Sequence, residues 1–247
     1  MKKYGLIGYP LSHSFSQRYF TDKFEKEQID AVYDNYSLSD IEQIRSLLGD
    51  AQIGGLNVTI PYKEQVISYL DCLDETAMEV GAVNVIRFED TLAGRRTVGC
   101  NSDVTGFRES IRKFLKPYHQ KALVLGTGGA SKAVVFALKQ LGISYQYVSR
   151  KSDAENGIIS YDELSRNDIE NNLIIINTTP LGMYPEIETA PAIPYEYLTE
   201  KHLLFDLVYN PEVTRFLQYG KDAGATSING LEMLYLQAEA AWIFWNK

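Results

Sequence analysis

Lys63 closes the segment Asn57-Val58-Thr59-Ile60-Pro61-Tyr62-Lys63, and Asp103 follows Asn101-Ser102 further along the chain. An amine and a carboxylate are the groups that move protons near neutral pH. Pro61 sits where the first turn of a helix would start, so Lys63 is predicted to lie in that turn, against the positive end of the helix dipole. Such a place is mildly destabilising for a cation and favours the neutral amine, which suits general acid–base work. Asp103, at the predicted start of a helix, is equally well read as an N-cap. Ser12-His13-Ser14 offers two hydroxyls and Asn57 an amide, at positions that face the crevice of an open α/β sheet. Each has a plain structural alternative: Ser14 caps a helix, His13 is a loop residue, Asn57 satisfies turn backbone. Taken singly, those alternatives are the better reading.

A second constellation is built from backbone. Gly126-Thr127-Gly128-Gly129-Ala130-Ser131 lies between a strand-like run and a helical one. Glycines there permit a tight turn, and amides at the helix N-terminus can bind a pyrophosphate. Lys132 follows Ser131 without the spacing of a P-loop. A tight turn without ligand is the alternative; the strand–turn–helix context favours a dinucleotide. At the end of the next strand, an Asp or Glu would accept from the ribose hydroxyls of NAD, but the sequence reads Ser149-Arg150-Lys151. That favours NADP: Arg150 can grip a phosphate bidentately and stack on adenine, and Lys151 adds a mobile charge. The same pair reads equally well as a solvated loop.

The elements that must position these residues alternate in type. Strands are expected at 4–8, 31–36 and 53–58, with helices at 14–28 and after Ser39. Ser14 with Gln17 and Ser39 with Glu42 are spaced as capping boxes. Segments 83–88 and 95–99 face each other as a hairpin. From Asp103, the residues Val104, Phe107, Ile111, Phe114 and Leu115 keep helical spacing until Pro117 stops the helix. A second unit then begins with a strand at 122–125, a helix to Gln140 ended by Gly142, and strands at 145–148, 173–176 and 203–205. An aromatic helix at 231–245 closes the chain and is expected to pack back on the first unit. This is the βαβα pattern of parallel sheets covered by helices.

Composition narrows the function. The 247 residues carry 24 Lys+Arg against 32 Asp+Glu, a formal charge of −8, with 45% hydrophobic and 23% charged residues. No basic stripe exists to neutralise phosphates, so nucleic acid is a poor partner. No apolar run approaches the roughly 20 residues that span a bilayer. Cys72 and Cys100 form neither a disulfide framework nor a metal spacing, which fits a reducing, cytoplasmic setting and no bound metal.

Read together, Ser12-His13-Ser14, Asn57 to Lys63, Gly81-Ala82-Val83-Asn84 and Asn101-Ser102-Asp103 resemble the shikimate dehydrogenase family in order and spacing. So do Gly126 to Ala130, Asn177-Thr178-Thr179-Pro180-Leu181-Gly182-Met183, Asp206-Leu207-Val208-Tyr209-Asn210-Pro211, and Gly230 to Leu234 through Gln237. The resemblance covers nearly the whole chain. It implies two open, mostly parallel α/β domains with the active site in the cleft between them: 1–102 with 231–247 for substrate, and 103–230 as a Rossmann-type NADP-binding domain. It implies NADP-linked interconversion of 3-dehydroshikimate and shikimate, in a monomer or homodimer acting on small molecules. Lys63 and Asp103 would be the catalytic pair. Ser12, Ser14, Asn57, Thr59, Asn84, Tyr209 and Gln237 would hold the substrate's carboxylate and hydroxyls. Gly126, Gly128, Gly129 and Ala130 would cradle the pyrophosphate, Ser149 and Arg150 the adenosine end, and Thr178, Met183 and Gly230 would lie near the nicotinamide. The sequence departs from the family pattern at Val85, Ser102, Thr127 and Asn229, where threonine, threonine, alanine and aspartate are usual, and Ser149-Arg150-Lys151 stands where Asn-Arg-Thr is common. The alternatives are a quinate/shikimate dehydrogenase able to use NAD and a catalytically silent metabolite sensor on the same fold.

Overall fold

The computed structural model describes residues 1–11, 14–92 and 94–247. The chain divides into two compact units, Met1–Ser102 with Ala238–Lys247, and Asp103–Gln237.

The first unit is built from β1 (Lys2–Gly8), α1 (Phe15–Lys26), β2 (Ala31–Ser37), α2 (Ile44–Leu48), β3 (Ile53–Val58), β4 (Cys72–Leu73), α3 (Glu75–Val80), β5 (Val85–Thr91) and β6 (Gly94–Cys100). Its six strands lie in the order β2-β1-β3-β5-β6-β4. β5 alone runs against its neighbours, as the hairpin partner of β6 and beside β3. Alternate residues feed opposite faces, as strand geometry requires: Tyr4 and Leu6 pack with Phe20, Phe24 and Tyr33, whereas Ile7, Leu56 and Ile86 pack with Ile44, Val66 and Ala77.

The second unit comprises α4 (Ser102–Arg112, opened by the last residue of the first unit), β7 (Lys121–Leu125), α5 (Gly129–Gln140), β8 (Ser144–Ser149), β9 (Ile158–Ser160), α6 (Arg166–Asn171), β10 (Ile174–Asn177), β11 (Leu203–Asp206), α7 (Arg215–Asp222), β12 (Thr226–Ile228) and the start of α8 (Leu231–Trp245). Its order, β12-β11-β10-β7-β8-β9, is parallel throughout. Numbered from β7, this is the 3-2-1-4-5-6 arrangement of doubly wound dinucleotide-binding sheets.

The sequence puts the last boundary at 230/231, but it falls inside α8. The first turns of that helix lie on α4, where a Cβ on Gly106 would come within 2.7 Å of the Met233 carbonyl and 2.9 Å of the Gln237 Cβ. From Ala238 onward the helix belongs to the first unit, as expected for a packed-back helix: Trp245 donates from its indole to the Ile86 carbonyl at 3.1 Å, and Glu239 accepts from Tyr19 and pairs with Lys23.

Caps decide the local starts and stops. Ser14 caps α1 by accepting from the Gln17 amide at 3.2 Å, but the Gln17 carboxamide oxygen accepts from Asn35. The second expected box is also altered: Asp40, not Ser39, accepts from the Glu42 amide, and it opens a 3₁₀ turn that runs into α2. The α4 helix ends at Arg112, short of Pro117, because Phe114 and Leu115 already bond three residues back and tighten the spiral.

Candidate active site

In the second unit the strand order reverses direction between β7 and β10, and a ligand crevice is expected outside their carboxyl ends. Two loops leave there. The Gly-rich turn begins with Gly126 at φ +104°, a conformation that favours glycine, and a Cβ at this position would press on the Thr178 hydroxyl at 2.8 Å. Gly128 is the N-cap of α5, and a Cβ on either Gly128 or Gly129 would meet nothing within 4 Å. No side chain therefore covers the start of α5, a twelve-residue helix whose positive end and first, intrahelically unpaired amides lie there. Ser131 is buried and donates to the Gly128 carbonyl at 2.6 Å, which holds the turn.

The second loop, 178–183, starts at the end of β10. Thr178 donates both its amide and its hydroxyl to the Leu125 carbonyl, at 2.9 and 2.7 Å, so the hydroxyl's proton is engaged by the neighbouring strand. Met183 is about half exposed and Tyr209, after β11, is exposed. Gly230 is a steric necessity: its amide bonds the Val208 carbonyl at 3.2 Å, and a Cβ would collide with the Leu207 carbonyl. Asn229 accepts from the Leu231 amide at 3.2 Å and so caps α8 in the aspartate's place. Ser149 ends β8, and Arg150 stands exposed beyond it with Lys151.

Sequence reasoning assigned nothing to Asn177 and Asp206, the last residues of β10 and β11, although both are fully buried. They are register partners, joined by a 2.9 Å bond from the Asn177 amide nitrogen to the carboxylate. Asp206 also accepts from the Thr214 hydroxyl at 2.5 Å and the Val208 amide at 3.0 Å. Burial pushes its pKa up to about 6, opposed by those three donors. A polar residue ending an apolar run, as in Ile174-Ile175-Ile176-Asn177 and Leu203-Leu204-Phe205-Asp206, was the available signal.

The first unit repeats the arrangement in different materials. Its sheet reverses direction between β1 and β3, and the loops after them are laced together: the Thr59 amide donates to the Ile7 carbonyl at 2.8 Å and the Tyr9 amide to the Ile60 carbonyl at 3.1 Å. Asn57 is buried, accepts from the Tyr33 hydroxyl at 2.8 Å and donates to the Asn84 carbonyl at 3.3 Å. Asn84 in turn accepts from the Ser102 amide at 2.7 Å and donates to its hydroxyl at 3.0 Å. Burial raises the Tyr33 pKa far above its ordinary value, so the phenol stays a donor. Thr59 and Ser14 are half-buried at the rim. Ser12 lies outside the described residues.

Lys63 is not in a helix. The Tyr62 amide closes a turn on the Thr59 carbonyl at 2.9 Å, the buried Tyr62 hydroxyl donates to the Leu38 carbonyl at 2.6 Å, and the Lys63 carbonyl accepts from the Val83 amide at 2.7 Å. These long-range bonds hold 59–63 as a turn, and the spiral that follows is a short 3₁₀ helix, Gln65–Tyr69. The helix-dipole argument for Lys63 therefore lapses; the residue remains, half-buried, at the switch point. Asp103 lies in the first turn of α4, where a carboxylate is favoured by the dipole, and Gln237 is half-buried on α8 with its amide on the Leu234 carbonyl at 3.0 Å. Lys63 belongs to the first unit, and Asp103 and Gln237 to the second. Among the described residues, no group of three or more His, Cys, Asp or Glu could hold a metal ion, and no helix is long and apolar enough to cross a membrane.

Strand order, glycine turn and helix N-terminus define a doubly wound α/β protein of the dinucleotide-binding type, with a second open α/β unit in the same chain. Comparison with known proteins narrows this class. Residues 6–86 match the family described as shikimate dehydrogenase substrate binding domain. The shikimate dehydrogenase (NADP(+)) of Methanosphaera stadtmanae is 37% identical over 256 residues, covering 96% of this chain and 89% of that one. A chorismate mutase/shikimate 5-dehydrogenase fusion protein from Clostridium acetobutylicum superposes with a TM-score of 0.87 at 36% identity, covering 100% of this chain and 91% of that one. The shikimate 5-dehydrogenase of Thermus thermophilus, in complex with NADP(H) and shikimate, gives 0.85 at 29% identity over 99% and 93% of the two chains. The chain belongs to the shikimate dehydrogenase family.

Proposed function

We propose that the protein catalyses the NADPH-linked, reversible reduction of 3-dehydroshikimate to shikimate, a step toward chorismate and the aromatic amino acids. The observation that carries the cofactor assignment is the open cradle at Gly128 and Gly129, at the N-terminus of α5 and at the sheet's switch point. Absence of a carboxylate at the end of β8, with Arg150 exposed there, supports a phosphorylated ribose over a free one. Ser149 would meet the adenosine end, Gly126 and Ala130 complete the turn around the pyrophosphate, and Thr178, Met183 and Gly230 line the nicotinamide side.

Bound NADPH supplies a hydride from C4 of the nicotinamide, and with it both electrons of the reduction. The chain's residues do the rest. The Lys63 ammonium gives a proton to the ketone oxygen as that oxygen becomes a hydroxyl, and water restores it; in the oxidative direction the amine takes the proton back. Asp103 accepts from the same hydroxyl or from the ammonium, orienting the lysine. Ser12, Ser14, Asn57, Thr59, Asn84, Tyr209 and Gln237 hold the carboxylate and ring hydroxyls, so that binding energy fixes which carbonyl is presented. On this reading the enzyme works in the cytoplasm on small molecules, as monomer or homodimer, with neither nucleic acid nor membrane as partner.

The test is cofactor oxidation with 3-dehydroshikimate, run with NADPH and NADH, and the reverse reaction with shikimate and quinate. Turnover of 3-dehydroshikimate with NADPH preferred is expected. Preference for quinate and NAD would replace the reading by the quinate/shikimate one, and binding without turnover would make the protein a sensor.

A further inference from the structure

Asp206 occupies a costly place. It is fully buried at the carboxyl end of β11, beside Asn177 at the end of β10, which is itself beside Leu125 at the end of β7. A neutral residue would avoid the desolvation of a carboxylate. Only a carboxylate, however, can accept from all three donors that converge there, the Asn177 amide, the Val208 amide and the Thr214 hydroxyl. An asparagine would turn its own NH₂ toward at least one of them.

Those donors come from the end of β10 and from loop 207–214. On one side, Asn177 is held by Asp206 and passes the order on: its oxygen accepts from the Thr179 amide at 3.0 Å and hydroxyl at 2.6 Å, and its nitrogen also reaches the Leu181 carbonyl at 3.3 Å. On the other side, Thr214 accepts from the Leu217 amide and starts α7, fixing the far end of loop 207–214, while the Val208 amide fixes its near end. The loops also touch each other. Gly182 has φ +86°, a conformation that favours glycine, and lies close against Thr214, whose Cβ an added Cβ would meet at 3.2 Å. Met183 follows Gly182 and Tyr209 follows Val208.

We infer that Asp206 is a positioning residue: through Asn177 on one side and Thr214 and Val208 on the other, it sets the two loops that carry Thr178, Met183 and Tyr209. This rests on the proposed reductase activity. The carboxylate is fully buried and bonded to Asn177, Val208 and Thr214. Its effect is on the placement of the groups assigned to cofactor and substrate, for which a displacement of about 1 Å can cost on the order of a hundredfold in rate.

The test compares Asp206→Asn, Thr214→Val and the exchange Asp206→Asn with Asn177→Asp, scored per folded molecule by near-UV circular dichroism. Arg150 and the residues of the glycine turn are unchanged, so the phosphate contacts should hold and KM for NADPH should rise by less than kcat falls, the latter roughly tenfold to a hundredfold in Asp206→Asn. With NADPH deuterated at the transferred position, the isotope effect on kcat should rise as hydride transfer becomes limiting. Thr214→Val, which keeps shape and removes one donor, should lose less in the same direction. The exchange, which restores a carboxylate and an amide to the pair, should recover part of kcat. Wild-type kcat in folded Asp206→Asn with only a lowered Tm, or a loss confined to KM for NADPH, overturns the inference. Should Asp206→Asn not fold, Thr214→Val decides alone: an unchanged kcat and isotope effect overturn it. A wild-type protein inactive on 3-dehydroshikimate fails the parent reading instead, which separates the two.

Discussion

The polar end after β1 and β3 is built from side chains, whereas the turn after β7 is bare backbone at Gly128 and Gly129. Asn57, Asn84 and Tyr33 are bonded to one another and to Ser102, so the first unit's polar end is part of its own scaffold. At Gly128 and Gly129 the second unit leaves nothing within reach of an added carbon. The difference matches what each would recognise. A ring with hydroxyls and a carboxylate needs donors and acceptors at fixed points, whereas a pyrophosphate is met by amides and a helix dipole. Below the backbone cradle the second unit keeps a charge, Asp206, where the first unit's network is amide and hydroxyl.

The comparison breaks most sharply at Lys63. Lys63→Ala should lower kcat about a hundredfold or more while leaving NADPH binding and folding near wild type; a folded variant with normal turnover would remove the first unit's polar end from the chemistry. Asp103→Asn should also lose kcat, and full activity would reduce Asp103 to a favourable charge at the start of α4.

The charge difference between the two polar clusters has a pH signature. The Asp206 pKa is about 6 in the folded protein against an ordinary 3.8, so the native state binds the extra proton. The associated stability is fully present below about pH 4 and lost as pH rises through 6, a change of about 3 kcal/mol. Urea denaturation from pH 4 to 7 should show this fall in wild type relative to Asp206→Asn; parallel curves would contradict it. Asn57→Ala, in the neutral cluster, should shift both curves equally.

Arg150→Ala tests the adenosine end. A charge-assisted phosphate contact is worth about 1.5–3 kcal/mol, so KM for NADP should rise roughly tenfold to a hundredfold, less if Lys151 compensates, with kcat at saturation and the NAD reaction little changed. Equal losses with both cofactors would argue against a phosphate there.

The smallest effects give the finest contrast. Gly128 has φ −77° and open space, so Gly128→Ala should leave Tm unchanged while KM for NADPH rises several-fold or more, on the order of 1 kcal/mol. Asn57→Ala should instead cost about 1 kcal/mol or more of stability, because it removes the acceptor of the buried Tyr33 hydroxyl, whatever it does to substrate KM. Destabilisation by the glycine change, or none by the asparagine change, would erase the distinction.

Much of this was legible from the chain. The glycine turn, the alternation of strands and helices, and the polar residues at strand ends follow local rules, and the ordered motifs pointed to the family. What local rules could not supply was long-range. Pro61 reads as a helix start, but Lys63 is held in a turn by Val83 and Tyr62, residues whose burial is settled by the whole sheet. β4 is two residues long and exists only because β6 lies beside it. α3 and α6 carry local signals of their own: Asp74 with Gly81, and the box formed by Ser165 and Asp168, mark their ends. Asp206 shows its importance only once Thr214 and Asn177 are seen to converge on it.

Trp245 sets an order of events during synthesis. The indole lies against Tyr4 and Phe20, with ring centroids 4.9 and 5.1 Å apart, and it occupies the space that a side chain on Gly55 would need. The first sheet thus starts with β1 at Lys2, yet one of the unit's two cores receives its aromatic plug only near residue 245. Translation delivers all of 103–237 in between. A nascent chain stalled after residue 102 would hold a sheet whose aromatic face still lacks Trp245. The first unit cannot complete this core until all of 103–237 has been made.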